Sequence, residues 1–318
     1  MSVFTRRAAI GPLAALLLLA ACSSTASPSA SAGGSAPAST APSAGISGAP
    51  SATPVAQVPA AQLVFAGKLV ICSDIPYPPQ EFFDADGKPV GSDIELGEAI
   101  AGKLGLTPQI ENSVFDTIIA AVTTGKCDII ISAQNITADR VKQVDMIPYF
   151  KAGQSFVVAK GNPKNINTTD DLCGKSIAAE SSTTEVDYLN GTGGYAGKGL
   201  SAACVAKGLA KITVSEFTKD SDALAALSSG NVDSYFADSP VAGYYTVQHP
   251  DQFQLSGVPP LDTALEGISV PKDKTALRDG VVAALKALMA DGGYTQILTK
   301  YAIQTGGLTA ADVVPVTK

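Results

Sequence analysis

The sequence predicts an α/β fold of two lobes, each a mostly parallel sheet flanked by helices, with a cleft between them. Two observations carry that expectation. Short, nearly continuous apolar runs alternate with stretches of helical periodicity from Lys68 onward, the pattern of parallel strands covered on both faces. In addition, no charged residue stands between Arg7 and Lys68 in a chain of 318 residues. The folded part therefore begins near residue 60, and what remains suffices for two ordinary domains or one large one.

The elements follow in order. GKLVICSD is a short apolar strand. Ser92-Asp93-Ile94-Glu95 reads as a capping box opening a helix whose Ile94, Gly97, Ala101 and Leu104 share one face before Gly105 ends it. A strand near QIENSV, a helix over Asp116 to Thr124 and the strand CDIIIS come next. ISAQNITADR then leads from that strand into a Thr-capped helix with Arg140 in its first turn. A helix N-terminus carries partial positive charge, so a cation there needs a negative group opposite. The alternation continues through SFVVAK, KSIAAE, TTEVDYLN, KITVSEF, SDALAALSSG, VDSYFAD and SPVAGYYTV. EGISVPKDK and a long helical stretch interrupted at Gly292-Gly293 close the chain. That last part is too short to be a domain and should complete the first lobe, so the chain crosses between lobes twice. Ligands on such sheets bind beyond the carboxyl ends of strands, where Asn135 and Asp238 both fall.

Composition narrows the chemistry. A formal charge of -7 and a sequence pI near 4.8 offer no basic face to a phosphate backbone, which excludes nucleic acid as a partner. The single histidine, His249, sits beside Pro250 and reads as a surface loop residue. Metal sites and Ser-His catalysis thus lack their usual residue, and no metal or other cofactor is expected. NGTGGYAGKGL superficially offers a phosphate loop, but Thr192 stands where its first glycine is needed and Gly199 replaces the metal-binding hydroxyl. The Ser181-Ser182-Thr183-Thr184 cluster reads as a helix-start turn presenting amides rather than as a nucleophile.

The N-terminus reads as an address. Arg6 and Arg7 precede AAIGPLAALLLLAA, fourteen apolar residues, too few for a permanent membrane span but suited to a secretory signal peptide over 1–21. The run ends in Leu19-Ala20-Ala21-Cys22, which resembles the lipobox of bacterial lipoproteins and implies lipidation of Cys22 and anchorage outside the cytoplasmic membrane. Residues 22–60 beyond it are almost wholly Ser, Ala, Pro, Gly and Thr, a disordered tether by composition.

Five segments resemble, in order and spacing, the extracellular solute-binding proteins of polar amino-acid ABC importers. They are SDIPYPPQEFFDADGKPVGSDIEL, FDTIIAAVTTGKCDIIISAQNITADR, DLCGKSIAAESSTTEVDYL, ALAALSSGNVDSYFADSPVAGYY and LKALMADGGYTQILTKY. The resemblance implies the type II periplasmic-binding-protein fold, with 61–153 and 266–318 forming lobe 1 and 154–265 lobe 2. By the family pattern Arg140 holds the α-carboxylate of a free amino acid and Asp238 its α-ammonium. Tyr77 and Phe115 flank the side chain, while Asp74, Ser132, Ala133, Asn135 and Thr184 complete the pocket. Elementary chemistry agrees, because a zwitterion needs a permanently charged donor fork at one end and a carboxylate at the other. The family also implies an ABC permease as partner, a monomer, and no catalysis.

Departures from the pattern bear on specificity. Gln80 replaces an aromatic residue, Ser92 and Asn135 are also unusual, and VDMIPYF is one residue short near the first crossover. Asp74 and Glu180 suit a cationic side chain; Gln80 and Asn135 suit an amide or an acid. Four cysteines remain besides Cys22, and of their three pairings Cys173 with Cys204 and Cys72 with Cys127 keep each pair within one lobe; free buried thiols are the alternative. Two other functions fit the same fold. One is a dehydratase of the cyclohexadienyl type with Glu180 as its acid, and the other an extracellular sensor that binds without transporting.

Overall fold

In this computed structural model, which describes residues 53–318, the apolar run after Lys68 forms β1 (Lys68–Ser73), buried from Leu69 onward. The signal peptide, Cys22 and the tether as far as residue 52 lie outside the described residues. The hairpin β2 (Phe82–Phe83) and β3 (Pro89–Val90) follows, then α1 (Ser92–Lys103), β4 (Thr107–Asn112), α2 (Phe115–Thr123), β5 (Ile129–Ile130), the single turn α3 (Ala138–Val141) and β6 (Val144–Ala159). Next come β7 (Ser176–Glu180), α4 (Thr184–Asn190), α5 (Leu200–Ala206), β8 (Thr213–Phe217), α6 (Asp220–Ser228), β9 (Ser234–Asp238), α7 (Ser239–Gln248) and β10 (Phe253–Leu255). The long strand β11 (Leu261–Pro271) returns the chain to α8 (Thr275–Ala290) and α9 (Gly293–Lys300).

Hydrogen bonding joins the strands in the order β4-β1-β5-β11-β6-β9-β7-β8, with β10 also on β6. The outer strands are parallel, β1 with β4 and β5, and β7 with β8 and β9. The middle is not. β6 and β11 run antiparallel to each other from Val144↔Pro271 to Gln154↔Leu261, and antiparallel to β9 and β5. The expectation of mostly parallel sheets therefore holds only away from the centre, because the two strands that carry the chain out and back must oppose one another. Alternation of apolar strands could not reveal this, since it reports burial and not direction.

Apolar packing lies on both sides of that central pair. Leu69, Ile71, Ile100, Ile129, Val281 and Leu285 share one core, and Val70, Ile118, Ile130 and Val144 a second on the opposite sheet face. Beyond β6, Val157, Ala223, Tyr235 and Val241 form a third core, and Phe156, Ile177, Leu189 and Phe236 a fourth. Cys72 is bonded to Cys127 (Cα–Cα 5.8 Å) in the first half and Cys173 to Cys204 (5.5 Å) in the second.

One local expectation fails. Ser92 does not cap α1; the N-cap is Gly91, and Ser92 is already helical and buried. Gly91 has φ 128°, and a Cβ there would lie 2.1 Å from the Gln80 carbonyl oxygen, so only glycine permits this close approach. Asp93 is turned inward instead of supporting a cap. It accepts the Ala133 amide (2.9 Å) and the Tyr149 hydroxyl (2.5 Å), and thereby holds Ala133 at φ 44° beyond the end of β5.

Candidate functional site

The strands of both halves end at one cavity. It is lined by Asp74, Tyr77, Glu81, Phe115, Ser132, Ala133, Asn135 and Arg140 from the first half, and by Glu180, Thr183, Thr184, Glu185 and Asp238 from the second. The nine pocket positions named from sequence are all among them.

Arg140 owes its place to a one-turn helix. Thr137 caps α3 by accepting the Arg140 amide at 3.2 Å, and the side chain then turns back under the strand end. Its guanidinium donates to the Asn135 carbonyl (2.8 Å) and, across the cleft, to the Ser182 carbonyl (3.1 Å). It rests 5.2 Å from the Phe115 ring centre. Among the described residues it has no salt bridge; Asp139 engages Lys142, and Asp145 engages Lys272 and Arg278. Burial works against its charge, which the nearby Glu185, Asp187 and Asp238 partly offset.

Asp238 ends β9 and is 2 % exposed. It sits at the N-cap of α7 without a side-chain capping bond. One carboxyl oxygen accepts the Tyr77 hydroxyl (3.1 Å), which in turn accepts the Asp238 amide (3.0 Å); the other oxygen is buried without a partner. Burial, then the charges of Glu185 and Glu266, push its pKa well up. A buried acceptor of this kind is costly unless something donates to it.

At the far end lie Asp74 and Glu180. Asp74 accepts the Phe115 amide (2.7 Å), Glu180 accepts the Asp220 amide (3.2 Å), and the two carboxyl groups hydrogen-bond to each other across the cleft. Burial is the main cause that lifts Asp74 to about 6 and Glu180 to about 10, with mutual repulsion adding to Glu180.

Several predicted residues serve the wall. The Ser132 hydroxyl donates to Glu81 (2.7 Å) and accepts the Asp74 amide (2.9 Å), so its one hydrogen is committed to the wall. The Asn135 side chain donates to the Thr184 hydroxyl (2.7 Å), which also accepts from Gln154 (3.0 Å), closing the cleft on that side. Ser181 adds a rim contact by donating to Asp116 on α2 (2.9 Å). Gln80 differs from expectation: it does not line the cavity, and its amide donates to the buried Glu266 (2.6 Å). Its suitability for an amide or acid ligand is thereby withdrawn. Glu81 and Glu185 line the cavity without having been singled out from sequence, and Thr183, read from sequence as part of a helix-start turn, lines it as well. His249 is exposed, packed edge-on against Phe253, and is not part of the cavity lining.

Comparison with known proteins accords with this geometry. The profile of the bacterial extracellular solute-binding proteins, family 3, matches residues 69–304. The arginine-binding protein ArgT of Corynebacterium glutamicum is 29% identical over 257 residues, covering 80% of this chain and 81% of that protein. Among solved structures, an ancestral arginine-binding protein bound to arginine is 35% identical with a TM-score of 0.65, covering 74% of this chain and 98% of that one. An ancestral amino acid-binding protein described as a precursor of cyclohexadienyl dehydratase is 30% identical with a TM-score of 0.62, covering 74% and 95%.

Proposed function

The chain belongs to the bacterial extracellular solute-binding proteins, family 3, and has the type II periplasmic-binding-protein fold; from that premise we propose that it captures a free amino acid with a cationic side chain and delivers it to the permease of an ABC importer. The observation that carries the ligand class is the charge of the cavity lining. One guanidinium, Arg140, faces five carboxyl groups, Asp74, Glu81, Glu180, Glu185 and Asp238. A zwitterion with a neutral side chain brings no second cation to these acids, whereas a cationic side chain supplies charged donors for the carboxyls beyond Asp238.

The ligand's α-carboxylate takes the guanidinium N–H groups not engaged by the Asn135 and Ser182 carbonyls. Its α-ammonium donates to the unpartnered oxygen of Asp238. The chain runs past Tyr77 and Phe115 toward Asp74 and Glu180. Because the two anchors belong to opposite halves, only the closed form engages both ends, which gives the ligand the differential affinity that drives closure. In this reading lobe 1 comprises 61–153 and 266–318, lobe 2 comprises 154–265, and a lipid on Cys22 anchors the monomer outside the cell membrane.

Thermal unfolding against a panel of free amino acids tests the proposal. A ligand at about 100 times its Kd should add about 2.7 kcal/mol, which raises Tm by about 5–10 °C for a protein of this size. Arginine or lysine should head the ranking; stabilisation by no amino acid would remove the reading. A protonated Glu180 in the cavity also favours a second function, acid-assisted dehydration of a cyclohexadienyl acid. Turnover of arogenate would establish that one instead.

A further inference from the structure

The end of the cavity away from Arg140 presents a charge problem. Asp74 is 7 % exposed and Glu180 6 %, and their carboxyl groups are in hydrogen-bond contact. Two ionised carboxylates have only acceptors, so such a bond requires a hydrogen on one of them. No basic side chain lines this end, and Arg140, the one cation of the lining, is held by carbonyls at the other. The remaining charged or titratable neighbours are Asp116 on α2, the exposed Lys219 before α6, Asp220 with the Tyr235 and Tyr245 hydroxyls upon it, and Glu81 behind Ser132. Lys219 is thus the lone cation among them, and it stands in solvent.

We propose that the hydrogen shared by Asp74 and Glu180 occupies the role of the solute's cationic end, so that capture of a cationic amino acid expels one proton while capture of an uncharged one leaves it in place. The inference rests on the amino-acid reading of the cavity. In the exchange, the O–H bond of one carboxyl breaks and its proton passes to solvent. Both carboxylates then accept from the incoming cation, and the total charge at that end is unchanged. Selection between charged and uncharged solutes becomes a function of pH. Burial sets the range, since the pair holds a single proton between about 6 and about 10. Within it the preference for a cation gains about tenfold per pH unit, one proton being released per capture. Asp238 and Glu185, also raised by burial, face the backbone end common to all amino acids, so their titration cancels between two ligands that differ only in the side-chain terminus.

Arginine and citrulline are such a pair, differing in a guanidinium against an uncharged ureido group. Their Kd values and proton release are to be measured on the wild-type protein by calorimetry from pH 6.5 to 8.5 in two buffers of different ionisation enthalpy. The arginine-to-citrulline affinity ratio should rise about 100-fold across that range, with one more proton released for arginine. If citrulline binds too weakly to follow, Glu180→Gln, checked for an unchanged melting profile, decides: arginine should then bind with one proton fewer released than in the wild type. A flat ratio with equal proton release, or a variant that releases as many protons as its parent, overturns the exchange while leaving the binding function intact. Binding of neither ligand at any pH overturns both.

Discussion

Arg140 and Asp238 illustrate what a single residue can and cannot disclose. A cation in the first turn of a capped helix and an acid after an apolar strand are visible in the sequence, and the needs of a zwitterion connect them. Glu185 was not legible, because an acid in the first turn of a helix is ordinarily a solvated partner of the helix dipole; only the fold turns it inward to 3 % exposure. Glu81 escaped notice for a similar reason, lying between the conspicuous Gln80 and two phenylalanines. Replacing Arg140 by Gln or Asp238 by Asn should each weaken amino-acid binding by about 2 kcal/mol or more, at least about 30-fold, since each leaves its ligand partner buried and unpaired. Titration calorimetry on the two variants and their combination checks this, and parental affinity in the double variant would contradict the assigned roles.

Among elements, the two caps respond differently to change. Thr137 both starts α3 and fixes Arg140, so Thr137→Ala should cost about 1 kcal/mol of stability and lower Tm by about 2–4 °C. It should weaken binding as well, although residue 137 is not in the cavity lining. Gly91→Ala should be more severe: the left-handed backbone alone costs about 1–3 kcal/mol, and the Gln80 carbonyl at 2.1 Å from the new Cβ adds to it. Chemical denaturation of both variants measures these effects. Periodicity revealed the existence of nearly every helix and strand, because burial on one face leaves a direct trace in the sequence. It misread the start of α1, where Ser92-Asp93 satisfies the capping pattern but Asp93 is recruited by Ala133 and Tyr149, partners 40 and 56 residues away. Long-range hydrogen bonds of that kind have no local signature.

For the molecule as a whole, buried acids set the response to pH. Asp93 is raised to about 6 and Asp220 to about 7, and Glu81 and Glu266 are raised further, all chiefly by burial. A carboxyl whose folded pKa is raised binds its proton more tightly in the native state. The stability it lends is complete below its unfolded pKa and disappears as pH rises through the folded value. Without ligand, Tm should therefore fall by several degrees between pH 5 and pH 8. Acids with lowered pKa, such as Asp233 and Asp291, act only below about pH 4 and do not oppose the trend. Melting curves across that range are the check, and a Tm that climbs with pH would show that these groups are ionised in the native protein. That the C-terminal helices pack back on the first strands was legible from how short that last stretch is, but the antiparallel ribbon of β6 and β11 was not.

In the proposed two-lobe division, that ribbon brackets the second half as an insertion. Gln154 on the outgoing strand faces Leu261 on the returning one, so the points where the inserted segment departs and rejoins are neighbours in space. A genetic excision of residues 155–260, bridged by a two-residue Asn-Gly turn, would convert β6 and β11 into an ordinary hairpin. Each disulfide lies wholly on one side of the cut. The shortened product should still fold around Leu69, Ile100 and Val281 with cooperative melting, while binding no solute. A protein assembled in this manner can exchange one wall of its cavity as a cassette, leaving the frame around β1 and α8 unchanged.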